Sequence, residues 1–182
     1  MKLTETRFKG LYIIEPQVFR DHRGYFFESF NSARFAEAGI EFEPRQDNES
    51  KSARGVIRGL HYQLSPYAQA KLIRVVEGSI FDVVVDLRRD SDTFGKWFGL
   101  ELDSESKRQL FIPQGFAHGF SVLSEIAVLQ YKCDNLYNPA AERSLSIADP
   151  VLNIDWKTDL RDAIISAKDL AAPLFADAEI NF

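Results

Sequence analysis

The sequence predicts a mainly β, single-domain protein of the jelly-roll kind, a sandwich or closed barrel with a few short helices. Three observations predict it. Short runs of β-branched and aromatic residues recur along most of the chain, turn residues cut them apart, and only two stretches carry a helical signature. Periodicity by itself leaves sandwich and barrel open. With 182 residues, 45% hydrophobic and 27% charged, the chain is long enough to bury one sizeable core and too apolar to be disordered.

The expected strands cover residues 11–14, 25–30, 56–62, 72–76, 80–87, 97–102, 108–112, 119–123 and 126–131. Turn chemistry separates them at Glu77-Gly78, between Asp90 and Asp92, at Pro113-Gln114-Gly115 and between Asn135 and Pro139. A short helix is expected over 32–38, with Ser32 as its N-cap and Gly39 as its stop. A second is expected over 158–167, where Leu160, Ala163 and Ile164 fit one buried helical face. No Gly/Ser tract, proline run, block of like charge or fixed repeat interrupts the series, so residues 1–182 form one domain. The segment from about 158 to 182 is expected to pack on the barrel.

Charge and composition exclude several functions. A net charge of −5 lacks the basic excess of a nucleic-acid surface, yet a few local Arg and Lys suffice for an anionic small ligand. Cys133 is the only cysteine, so no intramolecular disulfide and no oxidising compartment is implied. The first fifteen residues mix charged and apolar groups without the apolar core of a signal peptide, and no apolar run approaches the roughly 20 residues of a membrane helix. A cytoplasmic protein without membrane or nucleic-acid partners is expected.

Two spacings carry chemistry. Gly55 is followed after five residues by His61, and Lys71 is followed after six residues by Gly78. Metal-binding cupins are similar here, with a Gly, five residues and His-x-His, then a Glu six residues before a second Gly. This chain has Gln63 at the second His and Lys71 at the Glu. Pro113-Gln114-Gly115-Phe116-Ala117-His118 resembles the second cupin signature. An ammonium beside the remaining His opposes a divalent cation, so no metal and no cofactor is expected. The same ammonium suits an oxyanion, and a His beside it suits proton abstraction alpha to a ketone, with reprotonation inverting the carbon.

Four longer blocks specify the family. Residues 21–30 (Asp-His-Arg-Gly-Tyr-Phe-Phe-Glu-Ser-Phe), 46–48 (Gln-Asp-Asn), 58–63 (Arg-Gly-Leu-His-Tyr-Gln) and 116–120 (Phe-Ala-His-Gly-Phe) closely resemble the dTDP-4-dehydrorhamnose 3,5-epimerases, metal-free cupins. The resemblance runs from Arg23 to about Pro173. It implies a cupin-type fold, a dTDP-linked 4-keto sugar as substrate and inversion at C3 and C5. It implies His61 as base, Asp169 as its carboxylate partner, Lys71 at the enolate oxygen and Tyr131 as proton donor on the opposite ring face. It places Arg23, Glu28, Gln46, Asp47, Asn48, Arg58, His118, Glu142 and Lys168 along the substrate and Tyr137 on the thymine. It further implies a homodimer whose N-terminal strands cross over, so that Arg23 and Glu28 complete the partner's site.

Competing readings stay open at this point. A His in an apolar strand is commonly a satisfied core residue, Tyr131 fits a core aromatic, and Arg23 beside Asp21 fits a surface ion pair. Asp82 and Asp86 alternate with valines and read as inward-facing polar support or interface groups. The alternatives in function are a single-centre epimerase of another nucleotide 4-keto sugar, a metal cupin, or a non-catalytic sugar-binding cupin.

Overall fold

A computed structural model describes residues 1–182. Two antiparallel sheets face each other. One has six strands in the order β1 (Lys2–Glu5), β2 (Tyr12–Glu15), β10 (Gln109–Ile112), β7 (Lys71–Glu77), β12 (Ile126–Cys133) and β5 (Gln46–Ala53). The other has five, in the order β13 (Glu142–Ser144), β6 (Ile57–Gln63), β11 (Phe116–Val122), β8 (Ser79–Asp86) and β9 (Trp97–Asp103). A separate hairpin joins β3 (Val18–Asp21) to β4 (Gly24–Phe27). The mainly β jelly-roll expected from the strand spacing is the fold observed.

Hydrophobic burial organises it in three clusters, which explains why some strands alternate and others do not. Ile73, Val75, Ile80, Val84, Leu110, Phe120, Leu129 and six others fill the space between the sheets with Phe8. Behind the five-stranded sheet, Leu60, Phe81, Val83, Val85 and Trp156 form a second cluster, roofed by Ile165, Phe175, Ile180 and Phe182. Strand β8 therefore has apolar partners on both faces and is buried almost throughout. Outside the six-stranded sheet, α1 (Ser32–Glu37) seats Phe35 against Phe42 and Phe111.

One of the tight steps from one sheet to the other is the β7–β8 turn. Gly78 has φ +77°, and a Cβ there would collide with the Ile126 carbonyl and the Ser124 hydroxyl. At Gly59, with φ +121°, the backbone of β6 passes so close to Gly119 on β11 that a Cβ would stand 2.5 Å from its Cα. That approach lies at the register shift between His118 and Phe120.

Two helical expectations need correction. The cap of α1 is Asn31, whose extended backbone lets its side chain accept from Arg34 N at 3.3 Å, and not Ser32. Residues 158–166 are not helical: Ile164 N donates to Gly55 O at 2.9 Å and Ile57 N to Ile164 O at 3.1 Å, in a parallel bridge to Val56. The apolar residues there follow a period of two. Ala163 and Ile165 pack inward, whereas Ile164 is 58% exposed. The second helix, α2, is the single turn Ala167–Leu170 that follows. Strands β1, β3, β5 and β13 carry no sequence expectation.

Candidate active site

The open end of the sandwich collects polar side chains from five elements. Strand β5 alternates, sending Gln46, Asn48, Ser50 and Ser52 inward and Asp47, Glu49 and Lys51 outward. The strand pairings set Tyr131 opposite Asn48, Cys133 opposite Lys71, Glu142 opposite Gln63 and His118 opposite His61. Between them lies a cavity of about 280 Å³ lined by Gln46, Asn48, His61, Tyr62, Gln63, Gln69, Lys71, Tyr131, Tyr137 and Glu142. All four residues expected to do chemistry thus converge, Asp169 through its contact with His61.

That contact comes from α2. Ser166 caps the turn by accepting from Asp169 N at 3.1 Å, which turns the Asp169 side chain inward until it is only 4% exposed. Its Oδ1 lies 2.7 Å from His61 Nε2. A buried carboxylate at that distance places the imidazole proton on Nε2 and leaves the Nδ1 lone pair free. Burial holds the His61 pKa below the usual 6.5, although the hydrogen bond and charge of Asp169 pull the other way. The imidazole is therefore neutral at neutral pH. Desolvation also lowers the Lys71 ammonium from 10.5, with Cys133, Asp82 and Glu142 opposing it. Burial raises the Tyr131 phenol above 10, so it keeps its proton.

A second set of bonds fixes the rim. Tyr137 Oη donates to Glu142 Oε2 at 2.7 Å, and Lys168 Nζ donates to the same oxygen at 2.5 Å. Burial pushes Glu142 up, but these two bonds outweigh it and leave the carboxyl below its usual range. Gln46 Oε1 accepts from Tyr137 N at 2.8 Å. Gln63 ties the same loop to the β6–β7 connection, donating to Leu136 O at 3.2 Å and to Tyr67 O at 2.6 Å and accepting from Asn138 N at 2.7 Å. The side chain at the position of a metal cupin's second histidine thus works as a loop anchor. No group of three His, Cys, Asp or Glu side chains is placed to hold a metal ion.

Other predicted residues lie elsewhere. Arg58 is exposed at the far end of β6, its Nε on Ser52 Oγ at 3.0 Å, with its charge felt at Tyr131. His118 is buried beneath the cavity and bonds Asp82 at 2.7 Å. Asp47 points to the outer face, paired with Lys132 at 2.9 Å. Arg23 and Glu28 are outside the cavity: Arg23 pairs with Asp21 on the exposed hairpin, and Glu28 with Arg34 at 3.3 Å. Sequence reasoning missed Gln69 as a lining residue, and no spacing signal marks it. It also left Asp82 unconnected to His118, although their inward alternation was visible.

Comparison with known proteins converges on one description. A family profile described as dTDP-4-dehydrorhamnose 3,5-epimerase matches residues 5–177. A Shigella flexneri protein of that name is 51% identical over 180 residues, 98% of each chain. The crystal structure of an Elizabethkingia anophelis protein of that name superposes with a TM-score of 0.93 at 54% identity, covering 97% of both chains. A Legionella pneumophila dTDP-6-deoxy-D-glucose-3,5-epimerase, solved with dTDP-4-keto-L-rhamnose, gives 0.91 at 48% identity, covering 95% of this chain and 92% of its own.

Proposed function

The chain belongs to the dTDP-4-dehydrorhamnose 3,5-epimerase family, a family of isomerases, and from that premise we propose how its own residues invert C3 and C5 of dTDP-4-dehydro-6-deoxy-glucose. The observation that carries the reading is the convergence of the His61–Asp169 pair, Lys71 and Tyr131 on one cavity.

His61 Nδ1 takes the proton alpha to the C4 ketone. The C–H electrons become the carbon–carbon π bond of an enolate, and its charge moves to the C4 oxygen, where the Lys71 ammonium receives it. Asp169 stabilises the imidazolium. Tyr131 then returns a proton to the opposite face as the enolate electrons collapse to the ketone, and the centre is inverted. Solvent exchange resets both groups before the second carbon reacts. The depressed basicity of His61 and the raised pKa of Tyr131 support these assignments, since the base starts unprotonated and the acid protonated. The ketone itself acidifies both carbons, so the chemistry calls for no cofactor or metal.

The nucleotide half follows from the rim. Tyr137 is 52% exposed, free to stack on thymine, with Glu142 and Lys168 behind it. Gln46 and Asn48 line the sugar, and Arg58 serves the diphosphate as a guanidinium fork. His118 bounds the sugar end from below. The β3–β4 hairpin leaves Phe19 56% and Phe26 70% exposed, more apolar surface than a free hairpin tolerates. Its burial against a second copy would carry Arg23 and Glu28 to the neighbouring site in a homodimer, with Asp47 on the same outer region. No helix is long and apolar enough to cross a membrane, and the same reading puts the enzyme in the cytoplasm.

The test is conversion of dTDP-4-dehydro-6-deoxy-glucose followed by proton NMR. The appearance of the L-configured 4-keto sugar, abolished in His61→Asn, supports the reading. A folded protein that binds the nucleotide sugar but leaves it unchanged would turn it toward a binding role.

A further inference from the structure

Two buried side-chain polar atoms in the chain have no hydrogen-bond partner, Ser50 Oγ and Asp82 Oδ2. The second is the more costly, because an unpaired carboxylate oxygen in the interior pays its full desolvation. Asp82 is fully buried in the middle of β8, on the face that carries Ile80 and Val84 into the core between the sheets. One oxygen is held by His118 Nε2 at 2.7 Å; the other is left open.

The fold can satisfy a buried aspartate completely. Asp86, on the same face of the same strand, takes Arg88 Nε at 2.8 Å and Nη2 at 2.7 Å, Ser91 Oγ at 2.7 Å and Thr93 Oγ1 at 2.6 Å. Asp149 is matched by three backbone N–H groups. A carboxylate kept only as structural support would be closed off in the same way. Lys71, in phase with Ile73 and Val75 on β7, and Asp82, in phase with Ile80 and Val84 on β8, point into the same space between the sheets, and the Asp82 charge is among those that oppose desolvation of the Lys71 amine.

The other groups that oppose this desolvation, Cys133 and Glu142, are weaker sources of a lasting charge. Cys133, the neighbour of Lys71 in register, is a buried thiol pushed up to about 11 and so neutral at neutral pH. Glu142 is committed to Lys168 and Tyr137. His61 and Tyr131 are neutral in the resting site, and His118 is occupied by Asp82 itself.

We infer that Asp82, oriented by His118, is a positioning residue for Lys71: its open oxygen supplies the negative charge that keeps the amine protonated and held at the sugar end of the cavity. The role rests on the proposed use of Lys71 at the C4 oxygen, since only a protonated amine can take up enolate charge there. Asp82 and His118 form a second carboxylate–histidine pair that acts through Lys71, whereas Asp169 acts through His61.

The experiment is an NMR titration of Lys71 in the ligand-free protein, using lysine labelled with 13C at Cε and assigned by the signal lost in Lys71→Arg. In Asp82→Asn, or in the smaller Asp82→Ser, the Lys71 midpoint is expected to fall by about one pH unit or more, a tenfold change in proton affinity. The alkaline limb of kcat should fall with it, while KM changes less than about threefold. An unmoved midpoint in a folded variant overturns the inference. Should neither variant fold, His118→Asn, which removes the partner that orients Asp82, should also lower the Lys71 midpoint, and an unmoved one refutes the inference. Both titrations are independent of turnover. A Lys71 midpoint that shifts in this way in a protein with no epimerase activity would sink the proposed function alone.

Discussion

Replacing Asp169 by Asn tests the catalytic pair where its physics is best defined. The carboxylate is 4% exposed and 2.7 Å from His61 Nε2, so the bond is charge-assisted once the imidazole takes a proton. Asn keeps the size and an acceptor but removes the charge. A hydrogen bond to a charged group is worth about 1.5–3 kcal/mol, which at about 1.36 kcal/mol per decade lowers kcat by about 10- to 150-fold. If the amide N–H₂ turns toward the ring instead, Nδ1 becomes the protonated nitrogen, and the loss approaches the ~10⁴ associated with a mis-set tautomer. KM should change little, because Asp169 reaches the substrate only through His61. The pH profile has a definite sign. His61 must be unprotonated, its pKa lies below 6.5, and Asp169 raises it; the acidic limb of kcat/KM therefore lies below pH 6.5 and moves lower still in Asp169→Asn. Steady-state kinetics from pH 4.5 to 9 would check this. A kcat within threefold of wild type, or an acidic limb that moves upward, would refute the pairing as a catalytic device.

The other predictions address the acid, the rim and the scaffold. Tyr131→Phe removes the donor but not the base, so alpha-proton exchange with solvent should persist while product formation drops by about 10²- to 10⁴-fold, measured by NMR on one sample. Gln63→Ala removes two bonds to the loop that carries Tyr137 and one to Tyr67 O; KM should rise severalfold with kcat within about twofold, and a pure kcat effect would count against the anchoring role. Gly78→Ala combines a left-handed backbone with a collision against Ile126, whereas Gly39→Ala, at φ +75° with open space around it, meets only the backbone cost. That cost is about 1–2 kcal/mol, and thermal melting should fall by about 2–4 °C per kcal/mol, clearly further at Gly78; equal losses would contradict the close packing of that turn.

The sequence made legible what apolar patterning and local chemistry control. Strands β6 to β12 announce themselves because their inward residues form the core, and β8 is apolar on both sides of its length apart from Asp82 and Asp86, since both its faces are covered. Strand β5 was invisible for the opposite reason. Its inward residues Gln46, Asn48, Ser50 and Ser52 face a polar site, so neither face is apolar. The false helix at 158–167 shows the limit of spacing. Leu160, Ala163 and Ile164 fit a helical stripe, but the chain spends Ile164's backbone on Gly55 and Ile57 and buries Ala163 and Ile165 instead. In the site, His61, Lys71 and the Asp169 segment stood out through motif and resemblance. Asp47 did not separate from Asn48 until strand alternation put them on opposite faces. Arg23 and Glu28 lie outside the cavity of a single chain, and no local pattern states what a second copy would bring to them.

The central claim, two metal-independent inversions through an enolate, is tested most directly by turnover in heavy water. The protein, with EDTA present, is given dTDP-4-dehydro-6-deoxy-glucose, and the sugar is read by NMR. The account predicts deuterium at both C3 and C5 of an L-configured product. Incorporation at C3 alone would reduce the enzyme to a single-centre epimerase with the same His61 and Lys71 chemistry. Loss of all exchange on adding the chelator, or none at either carbon in a folded protein, would contradict the account.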